Sequence, residues 1–381
     1  MTTYLLHDDA LRSYEMRHEI AEPIMDPITF IEHDGKRIVV GGDLEAPIFA
    51  TREDIVDEFW DFSSLGSEEL VVDPDVPKEL IGPELTLRAL GKLGVTSVIV
   101  PPTFRLLTAD HLRAGGVEVV VDADAWIERR RKKTPWELEG IERAQRAVEM
   151  AMLTAARMLR DAEPTNNGEQ LRFEGEILTA EWIREVMTKE LLTQGAESED
   201  ILVQSGDACL AGHSIGHGPI LPNQSVIIDC FPRDLKTGVY TDMTRTFVPG
   251  AASEDLKALH KHVCAALELA CDKIKPGAGG VYDTVAEHFH SQGFATQLHK
   301  EGPETVKEGF THALGHGVGL EVHERPYLGR RGDTLQEGDV IAIEPGLYIR
   351  GIGGVRLEDT VLVTDSGPEH LSDPYPYDLE P

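Results

Sequence analysis

The segment that most constrains the architecture reads His-Ala-Leu-Gly-His-Gly-Val-Gly-Leu-Glu-Val-His-Glu-Arg-Pro over residues 312–326. Glycines flank His316 on both sides, which lets a ligand approach both the backbone and the imidazole. A lone histidine beside glycine is more often structural than functional. The segment therefore gains its meaning from carboxylates that lie elsewhere in the chain.

Four carboxylates occur at or beside the ends of apolar, strand-like segments. They are Asp229, Asp242, Glu344 and Glu358. A turn-rich loop separates residues 226–231 from residues 238–247, so a hairpin would bring the two aspartates onto neighbouring strands. Burying an unpaired carboxylate in such a place is costly, which favours a shared cation as the partner.

These four carboxylates and His316 form an oxygen-rich ligand set with one nitrogen. Such a set suits Mn²⁺, Co²⁺, Fe²⁺ or Zn²⁺ and differs from a thiolate zinc site. Two adjacent ions bridged by carboxylates could hold a hydroxide at neutral pH. Each residue alone could be a cap, a turn former or a structural histidine, but their joint occurrence beside apolar strands favours a two-metal site. Arg356 lies two residues before Glu358, and we expect both side chains on the same face of a strand.

The first third of the chain predicts a small α/β domain. Residues 28–40 predict two strands around an Asp-Gly turn, and further strands are expected at 95–100 and 117–121. Helices are expected near 53–59 and over 83–93, with Gly94 as the stop signal of the second.

A domain boundary is expected at the basic run 129–133. Thr134, Pro135 and Glu137 follow it with the spacing of a capping box, which predicts the start of a long helix. The basic run itself could bind an acidic ligand, but we interpret it as a solvated hinge that pairs with acidic groups. The boundary predicts domains at 1–130 and 135–381.

The second domain shows an internal rhythm in which two helices followed by strands occur twice, as in two related halves. The predicted helices are 136–161, 178–194, 253–274 and 281–293, and the predicted strands are 201–209, 225–231, 238–247, 310–320, 338–350 and 354–364.

Composition narrows the class of protein. The 36 basic and 67 acidic residues give a net charge of −31, a surface that repels phosphate backbones and anionic lipids. We therefore expect neither a nucleic-acid nor a membrane partner, and the spread of acids along the chain is compatible with a salt-adapted source. Four cysteines without a Cys-x-x-Cys pair and an N-terminus without a signal-like apolar segment predict free thiols and a cytoplasmic location.

Residues 135–364 resemble the catalytic domain of the creatinase, aminopeptidase P, prolidase and methionine aminopeptidase family, metallopeptidase family M24. The matching motifs are Asp229, residues 241–247, residues 315–319 with His323 and Glu324, residues 344–346, and residues 356–359. The resemblance implies an α+β "pita-bread" catalytic domain. Together with the smaller N-terminal creatinase-like α/β domain, it points to the prolidase and Xaa-Pro aminopeptidase branch.

Carried over residue by residue, the resemblance implies a role for each ligand. Asp229 would chelate one ion, Asp242 and Glu358 would bridge both ions, and His316 and Glu344 would bind the other. The ions would be Mn²⁺ or Co²⁺, with Zn²⁺ or Fe²⁺ as alternatives, and a homodimer is implied.

The resemblance also implies roles for residues around the ions. His323 would contact the scissile carbonyl, Glu344 would accept a proton, and His312 would relay protons or contact substrate. Arg356 would orient a ligating carboxylate. A further substrate-binding histidine is expected upstream of Asp229, at His213 in preference to His217.

The predicted activity is removal of the N-terminal residue before proline from dipeptides or short peptides. Two departures from the family pattern stand out: the thirteen-residue interval between Asp229 and Asp242 exceeds the usual one, and no arginine clearly matches the position that holds a dipeptide carboxylate. Arg325 is the candidate for that contact, with Arg330 and Arg331 beside it. The alternatives are a metal-free creatinase-like C–N hydrolase and a non-catalytic binding protein on the same fold.

Overall fold

The chain folds as two units, Met1–Arg130 and Arg131–Pro381. A computed structural model describes residues 2–52, 54–212, 214–373 and 375–381. Because the two units have separate cores, each is described by itself.

The first unit contains a six-stranded sheet with the order β4-β3-β2-β1-β5-β6. Its strands are β1 (Thr3–Asp8), β2 (Ile28–His33), β3 (Lys36–Gly41), β4 (Glu58–Asp61), β5 (Ser97–Val100) and β6 (Glu118–Val121), and its helices are α1 (Tyr14–Ile20), α2 (Ala46–Phe49), α3 (Ser67–Val72), α4 (Lys78–Leu93), α5 (Leu106–Ala114) and α6 (Ala123–Arg131). The predicted hairpin is confirmed, since β2 and β3 pair antiparallel around Asp34 and Gly35, both at positive φ. The predicted stop at Gly94 is also confirmed, because this residue caps α4 in the left-handed conformation.

The helix predicted at 53–59 is wrong in the described residues. Glu53 lies outside them, and the segment ends in β4, which pairs parallel with β3 from Glu58 onwards. The Phe59 ring stacks on Phe49 with centroids 5.5 Å apart. Pairing with a sheet and packing of an aromatic ring therefore override the local helical pattern.

The second unit is built from four helices and several small sheets in the described residues. Its helices are α7 (Pro135–Arg160), α8 (Ala180–Thr193), α9 (Glu254–Lys273) and α10 (Val281–Ser291), and its strands are β7 (Glu163–Pro164), β8 (Leu171–Phe173), β9 (Glu176–Ile177), β10 (Ala196–Glu197), β11 (Ile201–Ser205), β12 (Val226–Cys230), β13 (Arg233–Asp234), β14 (Met243–Phe247), β15 (Gly315–Gly317), β16 (Glu324–Leu328), β17 (Val340–Ile343), β18 (Gly346–Ile349), β19 (Gly353–Arg356), β20 (Asp359–Thr364) and β21 (Gly367–His370). The capping box at the start of α7 is confirmed, with both of its hydrogen bonds present.

The predicted rhythm of two helices followed by strands is confirmed. Helices α7 and α8 share one apolar core with the sheet β11-β12-β14, and α9 and α10 share another with strands β17 to β20. The two strands predicted at 338–350 and 354–364 each split into two. Glu344 lies at the first break and Glu358 at the second. At such a break a side chain can point in a direction that the regular alternation of a strand does not allow.

The residues between Asp229 and Asp242, which are more numerous than the family pattern predicts, form a small projection. Its β13 pairs with β10, and the side chain of Arg143 donates to both oxygens of Asp234 at 3.0 and 2.9 Å. Asp234 also accepts from the backbone and hydroxyl of Thr237. The extra residues are thus held by their own contacts against α7 and β10.

The basic run contacts acidic groups, as predicted, but it is not a solvated hinge. Arg131 is 6% exposed and pairs with Asp339 at 2.7 Å, and the buried Lys133 pairs with Glu324. A buried cation requires a paired carboxylate, and each of these cations has one. The interpretation as a solvated segment is therefore wrong for these two residues.

Candidate metal centre

Strand pairing brings together ligands that are far apart in sequence. Strand β12 carries Asp229 and pairs antiparallel with β14, with Asp229 opposite Thr244. Thr244 in turn forms a bridge to Glu358, and Asp242 immediately precedes β14. The hairpin predicted from the sequence is therefore present, and it meets the second half of the unit at Glu358.

The second half supplies the imidazole. His316 lies in β15, between the neighbouring strands β16 and β17. The whole residue, ring and backbone together, is 6% exposed. The flanking glycines are required by close packing: a Cβ on Gly315 would lie 2.0 Å from the carbonyl oxygen of Ala342, and one on Gly317 would lie 2.4 Å from that of Arg325. The glycine pattern thus allows three backbones to pack around the histidine.

Three ligand groups converge from both halves of the unit. Ligand atoms of Asp242, His316 and Glu358 all lie within 4.8 Å of one another. His316 Nε2 lies 3.8 Å from Asp242 Oδ2 and 3.9 Å from Glu358 Oε1. It also lies 4.0 Å from Glu344 Oε1. Two ligands of one ion, each about 2.1 Å from it, lie roughly 3–4 Å apart, so this spacing suits coordination of a divalent ion.

Unpaired oxygens give a second test of the fit. In the described part of the chain, three buried carboxylate oxygens have no hydrogen-bond donor: Asp229 Oδ1, Asp242 Oδ1 and Glu358 Oε1. Leaving such atoms unsatisfied costs about 1–3 kcal/mol each, and more when the group is charged. Oxygens that lack a donor are free to bind cations, and the residues therefore fit a divalent metal site.

The remaining atoms of these side chains are held by hydrogen bonds. His316 Nδ1 lies 3.1 Å from the carbonyl oxygen of Gly317, which fixes the proton on Nδ1 and leaves Nε2 as the metal-facing nitrogen. Thr244 Oγ1 donates to Glu358 Oε2 at 2.7 Å. One oxygen of Glu358 is thus anchored while the other faces its neighbours.

Arg356 contacts the ligand Asp229 directly. Its Nη2 donates to Asp229 Oδ2, its Nε donates to Thr244 Oγ1 at 3.2 Å, and its Nη1 donates to the hydroxyl of Tyr348 at 3.2 Å. The sequence predicted a contact between Arg356 and a ligating carboxylate, and the structure places it at Asp229.

Burial and mutual repulsion disfavour negative charge in the metal-free cluster. Burial, then the charge of Glu358, raises the pKa of Asp242 well above its usual range, and burial followed by Glu344 does the same to the pKa of Glu358. Burial raises the pKa of Glu344 to about 7, against the opposing charge of Arg356. Burial lowers the pKa of His316 to about 4, so its imidazole is neutral at neutral pH. Cations would offset the repulsion among these carboxylates.

A cavity of about 690 Å³ opens onto the cluster. Its wall contains all five predicted ligands, and the apolar side chains Leu202, Phe231 and Val322 line it as well. His312 and His323 also line this cavity, and the rings of His316 and His323 meet edge to face at 4.3 Å. The cavity is therefore large enough for a small peptide next to the ligand cluster.

Tyr348 is a site residue that the sequence interpretation missed. Its buried hydroxyl lies 3.0 Å from His312 Nε2 and accepts from Arg356, so it connects the histidine to the arginine beside Asp229. Its partners His312 and Arg356 lie 36 and 8 residues away in the sequence, so no local sequence signal identifies it.

The structure tests one of the two remaining predicted substrate contacts, Arg325, and does not bring it to the cavity. His213 lies outside the described residues, and its alternative His217 is exposed beside Glu181, 3.2 Å away. Arg325 pairs with Asp333 and is absent from the cavity wall in the described residues. The dipeptide-carboxylate contact expected of Arg325 therefore has no support in this arrangement.

The family model of metallopeptidase family M24 matches residues 139–365. This chain belongs to metallopeptidase family M24. The matched residues include every strand that carries a ligand, and M24 membership implies that the chain binds divalent metal. Membership was the expectation from the motifs, and it is confirmed.

Relatives and solved structures agree with that membership. The Xaa-Pro dipeptidase of Pyrococcus furiosus is 33% identical over 252 residues, which cover 63% of this chain and 62% of that protein. The structure of an Xaa-Pro dipeptidase from Bacillus anthracis superposes with a TM-score of 0.76 at 21% identity, covering 99% of this chain and 94% of that one. An X-Pro aminopeptidase from Thermotoga maritima superposes with a TM-score of 0.74 at 20% identity, covering 99% and 97%. The chain thus matches less than two thirds of the curated relative's length, while the fold agrees over nearly all of it, and the predicted pita-bread class is confirmed.

Proposed function

We propose that the protein is a dinuclear metal-dependent exopeptidase that hydrolyses the N-terminal Xaa-Pro bond of dipeptides or short peptides. The observation that carries the proposal is the convergence of His316 Nε2 with the carboxylates of Asp242 and Glu358, each of which has one oxygen without a donor, on the wall of one cavity. Family membership and the Xaa-Pro dipeptidase relatives support it. A metal-free C–N hydrolase would not require such a ligand set, so that alternative is not favoured.

We assign the five residues Asp229, Asp242, His316, Glu344 and Glu358 as metal ligands. Oxygen-rich ligation with one imidazole suits Mn²⁺ or Co²⁺, and Zn²⁺ or Fe²⁺ are compatible with the same donors. Two bound ions would lower the pKa of a bound water and polarise the scissile carbonyl.

The chain's own groups would manage protons and charge. Glu344, on the cavity wall 3.7 Å from His312, would accept a proton from the nucleophile. His323, on the cavity wall beside His316, would donate a hydrogen bond to the oxygen on which negative charge develops. His312 is held by the hydroxyl of Tyr348 and lies 3.7 Å from Glu344, a position suited to relaying the proton towards the leaving nitrogen.

Substrate orientation follows from the position of Asp229. The free amino group of the peptide would bind near the ion that Asp229 would hold, and the proline side would extend away from the ligands. A proline nitrogen carries no N–H in the peptide, so that end of the cavity need not offer it an acceptor.

The finer parts of the proposal are a homodimer, which rests on family resemblance, and a cytoplasmic location, which rests on the four free cysteines. In the described part of the chain, no helix has the length and apolar character needed to cross a bilayer. Light scattering on the purified protein tests the dimer.

Activity on two peptides tests the function. Release of free alanine from Ala-Pro and from Ala-Pro-Pro is measured after chelator treatment and again after adding Mn²⁺ or Co²⁺, in low and high salt. We expect the metal to restore cleavage, and the preferred peptide then separates a dipeptidase from an aminopeptidase. A folded protein that cleaves neither peptide with any metal or salt would contradict the proposal.

A further inference from the structure

Arg245 is a buried arginine beside the metal centre that the proposed mechanism does not use. It lies in the middle of β14 with its side chain 1% exposed. Its Nη1 donates to the carbonyl oxygens of Thr244 at 2.9 Å and Glu358 at 2.7 Å. Its Nη2 donates to Asp359 Oδ1 at 2.7 Å. One guanidinium thus joins β14 to the two residues at the break between β19 and β20.

The remaining donors of Arg245 bind the C-terminal segment 375–381, here called the tail. Nε donates to the carbonyl oxygens of Tyr375 and Pro376, each at 3.1 Å, and Nη2 donates to that of Tyr375 at 2.7 Å. The tail has no helix or strand, but its backbone has specific partners.

Side chains of the tail close the same cluster. The Tyr377 ring lies 4.7 Å from the guanidinium carbon of Arg245, and its hydroxyl donates to Asp359 Oδ2. The Tyr375 ring meets Phe247 edge to face at 6.2 Å, and His260 Nε2 lies 2.6 Å from the carbonyl oxygen of Tyr377. The tail is therefore docked at several points, and the planar Arg245 fork is its central contact.

These contacts hold the backbone of a metal ligand. The carbonyl of Glu358 accepts from Arg245, and its N–H donates to the carbonyl of Thr244 at 3.0 Å. The side chain of Glu358 leaves towards the cavity, where Thr244 Oγ1 fixes one oxygen. A ligating group performs well only when held within about 0.5 Å of its productive position, so loosening this backbone would weaken the site.

We propose that Arg245 and the tail are positioning elements for Glu358, so that undocking the tail weakens the binding of the ions that Glu358 contacts. The proposal rests on the proposed function in taking Glu358 as a metal ligand. Neither Arg245 nor the tail lines the cavity in the described residues, so their effect on metal would pass through Glu358.

Ion affinity measured by calorimetry tests the proposal without relying on turnover. The metal-free protein shortened after Asp373 is titrated with Mn²⁺ beside the full chain. We expect a 10- to 100-fold loss of affinity for at least one ion, the range found when groups that orient metal ligands are removed. Adding a synthetic peptide of residues 374–381 should recover part of the lost affinity.

A matched control separates positioning from general destabilisation. Arg143→Met breaks another arginine–aspartate pair of the same unit, at Asp234, and should lower the melting temperature without changing Mn²⁺ affinity by more than about 2-fold. If the shortened chain does not fold, Tyr377→Ala, which keeps the tail backbone, decides the matter with an expected loss of several-fold. A folded variant of either kind with unchanged Mn²⁺ affinity overturns the positioning role, whereas a full chain that binds no ion overturns this role and the proposed function together.

Discussion

Glu358 and Asp359 are consecutive buried acids at the break between β19 and β20, and they differ in their hydrogen-bond donors. Asp359 has a donor for each oxygen, from Arg245 and from Tyr377. Glu358 has one donor, Thr244, and its Oε1 has none among the described residues. Both residues are 2% exposed, so burial does not distinguish them.

The number of hydrogen-bond donors to its oxygens therefore distinguishes a structural acid from a candidate metal ligand. A carboxylate that is buried and fully paired completes a network, and removing it leaves its partner unpaired. A carboxylate that is buried, raised in pKa and incompletely paired carries an energetic cost that only a ligand can offset. Asp242 and Glu358 belong to the second kind.

The largest predicted effect contrasts Asp242→Asn with Asp359→Asn. Asp242→Asn should remove tight metal binding and reduce activity on the order of 10³-fold. It should leave the metal-free protein as stable as the wild type or more so, because it removes one of several repelling carboxylates. Asp359→Asn should instead cost about 3–5 kcal/mol of stability by leaving the Arg245 charge without its carboxylate.

Melting temperatures with and without Mn²⁺, together with calorimetric titration, measure both variants. Metal should raise the melting temperature of Asp359→Asn but not that of Asp242→Asn. If Asp242→Asn destabilises the metal-free protein as much as Asp359→Asn does, the distinction between a structural acid and a candidate metal ligand is contradicted.

Much of the candidate site could be predicted from the sequence because ligand chemistry is local to short motifs. Asp229, Asp242, His316, Glu344 and Glu358 all line one cavity, as their motifs indicated. Their strands are short and apolar, and a hairpin with a turn-rich loop has few alternative pairings.

The parts that failed depend on contacts between distant segments. Tyr348 has its role through His312 and Arg356, which lie 36 and 8 residues away, and no local pattern marks it. The predicted contact of Arg325 with a dipeptide carboxylate rested on its charge alone, and in the structure that charge is paired with the nearby Asp333. The docking of the tail could not be predicted from the sequence, because its partners, Arg245 and His260, lie more than a hundred residues before it.

A second prediction concerns the pH dependence of the metal-free protein. The folded state holds the Glu344 proton up to about pH 7, whereas the unfolded chain releases it near 4.5. At Glu344 the folded state thus binds more protons between these values, so the contribution of Glu344 to the free energy of unfolding should fall as pH rises through this interval and then level off. The raised pKa values of Asp242 and Glu358 act in the same direction. The lowered pKa values of His7 and His316 act in the opposite direction, so the Glu344 contribution is measured as the difference between the wild type and Glu344→Gln.

Thermal unfolding of chelator-treated protein at several values between pH 4.5 and 8 measures this trend. Glu344→Gln cannot titrate and should reduce the fall by on the order of 1–3 kcal/mol. With Mn²⁺ present the trend should weaken or reverse, since ions compete with the same protons. A metal-free Glu344→Gln variant whose stability changes with pH in the same way as that of the wild type would contradict the raised pKa of Glu344.

The smallest predicted effect concerns the projection between the two aspartates, where acids are paired but lie outside the cavity. Arg233 and Glu197 form an ion pair at 2.6 Å with side chains 41% and 40% exposed. Solvent and salt screen such a pair, so Arg233→Ala should change stability by less than about 1 kcal/mol and leave Mn²⁺ affinity within 2-fold. Arg233 is only four residues from the ligand Asp229, yet Arg245, which is sixteen residues away, should matter far more. The contrary result would be that Arg233→Ala weakens Mn²⁺ binding as strongly as loss of the tail does. That result would show that Mn²⁺ affinity depends on closeness to Asp229 in the sequence and not on which buried oxygens have hydrogen-bond donors.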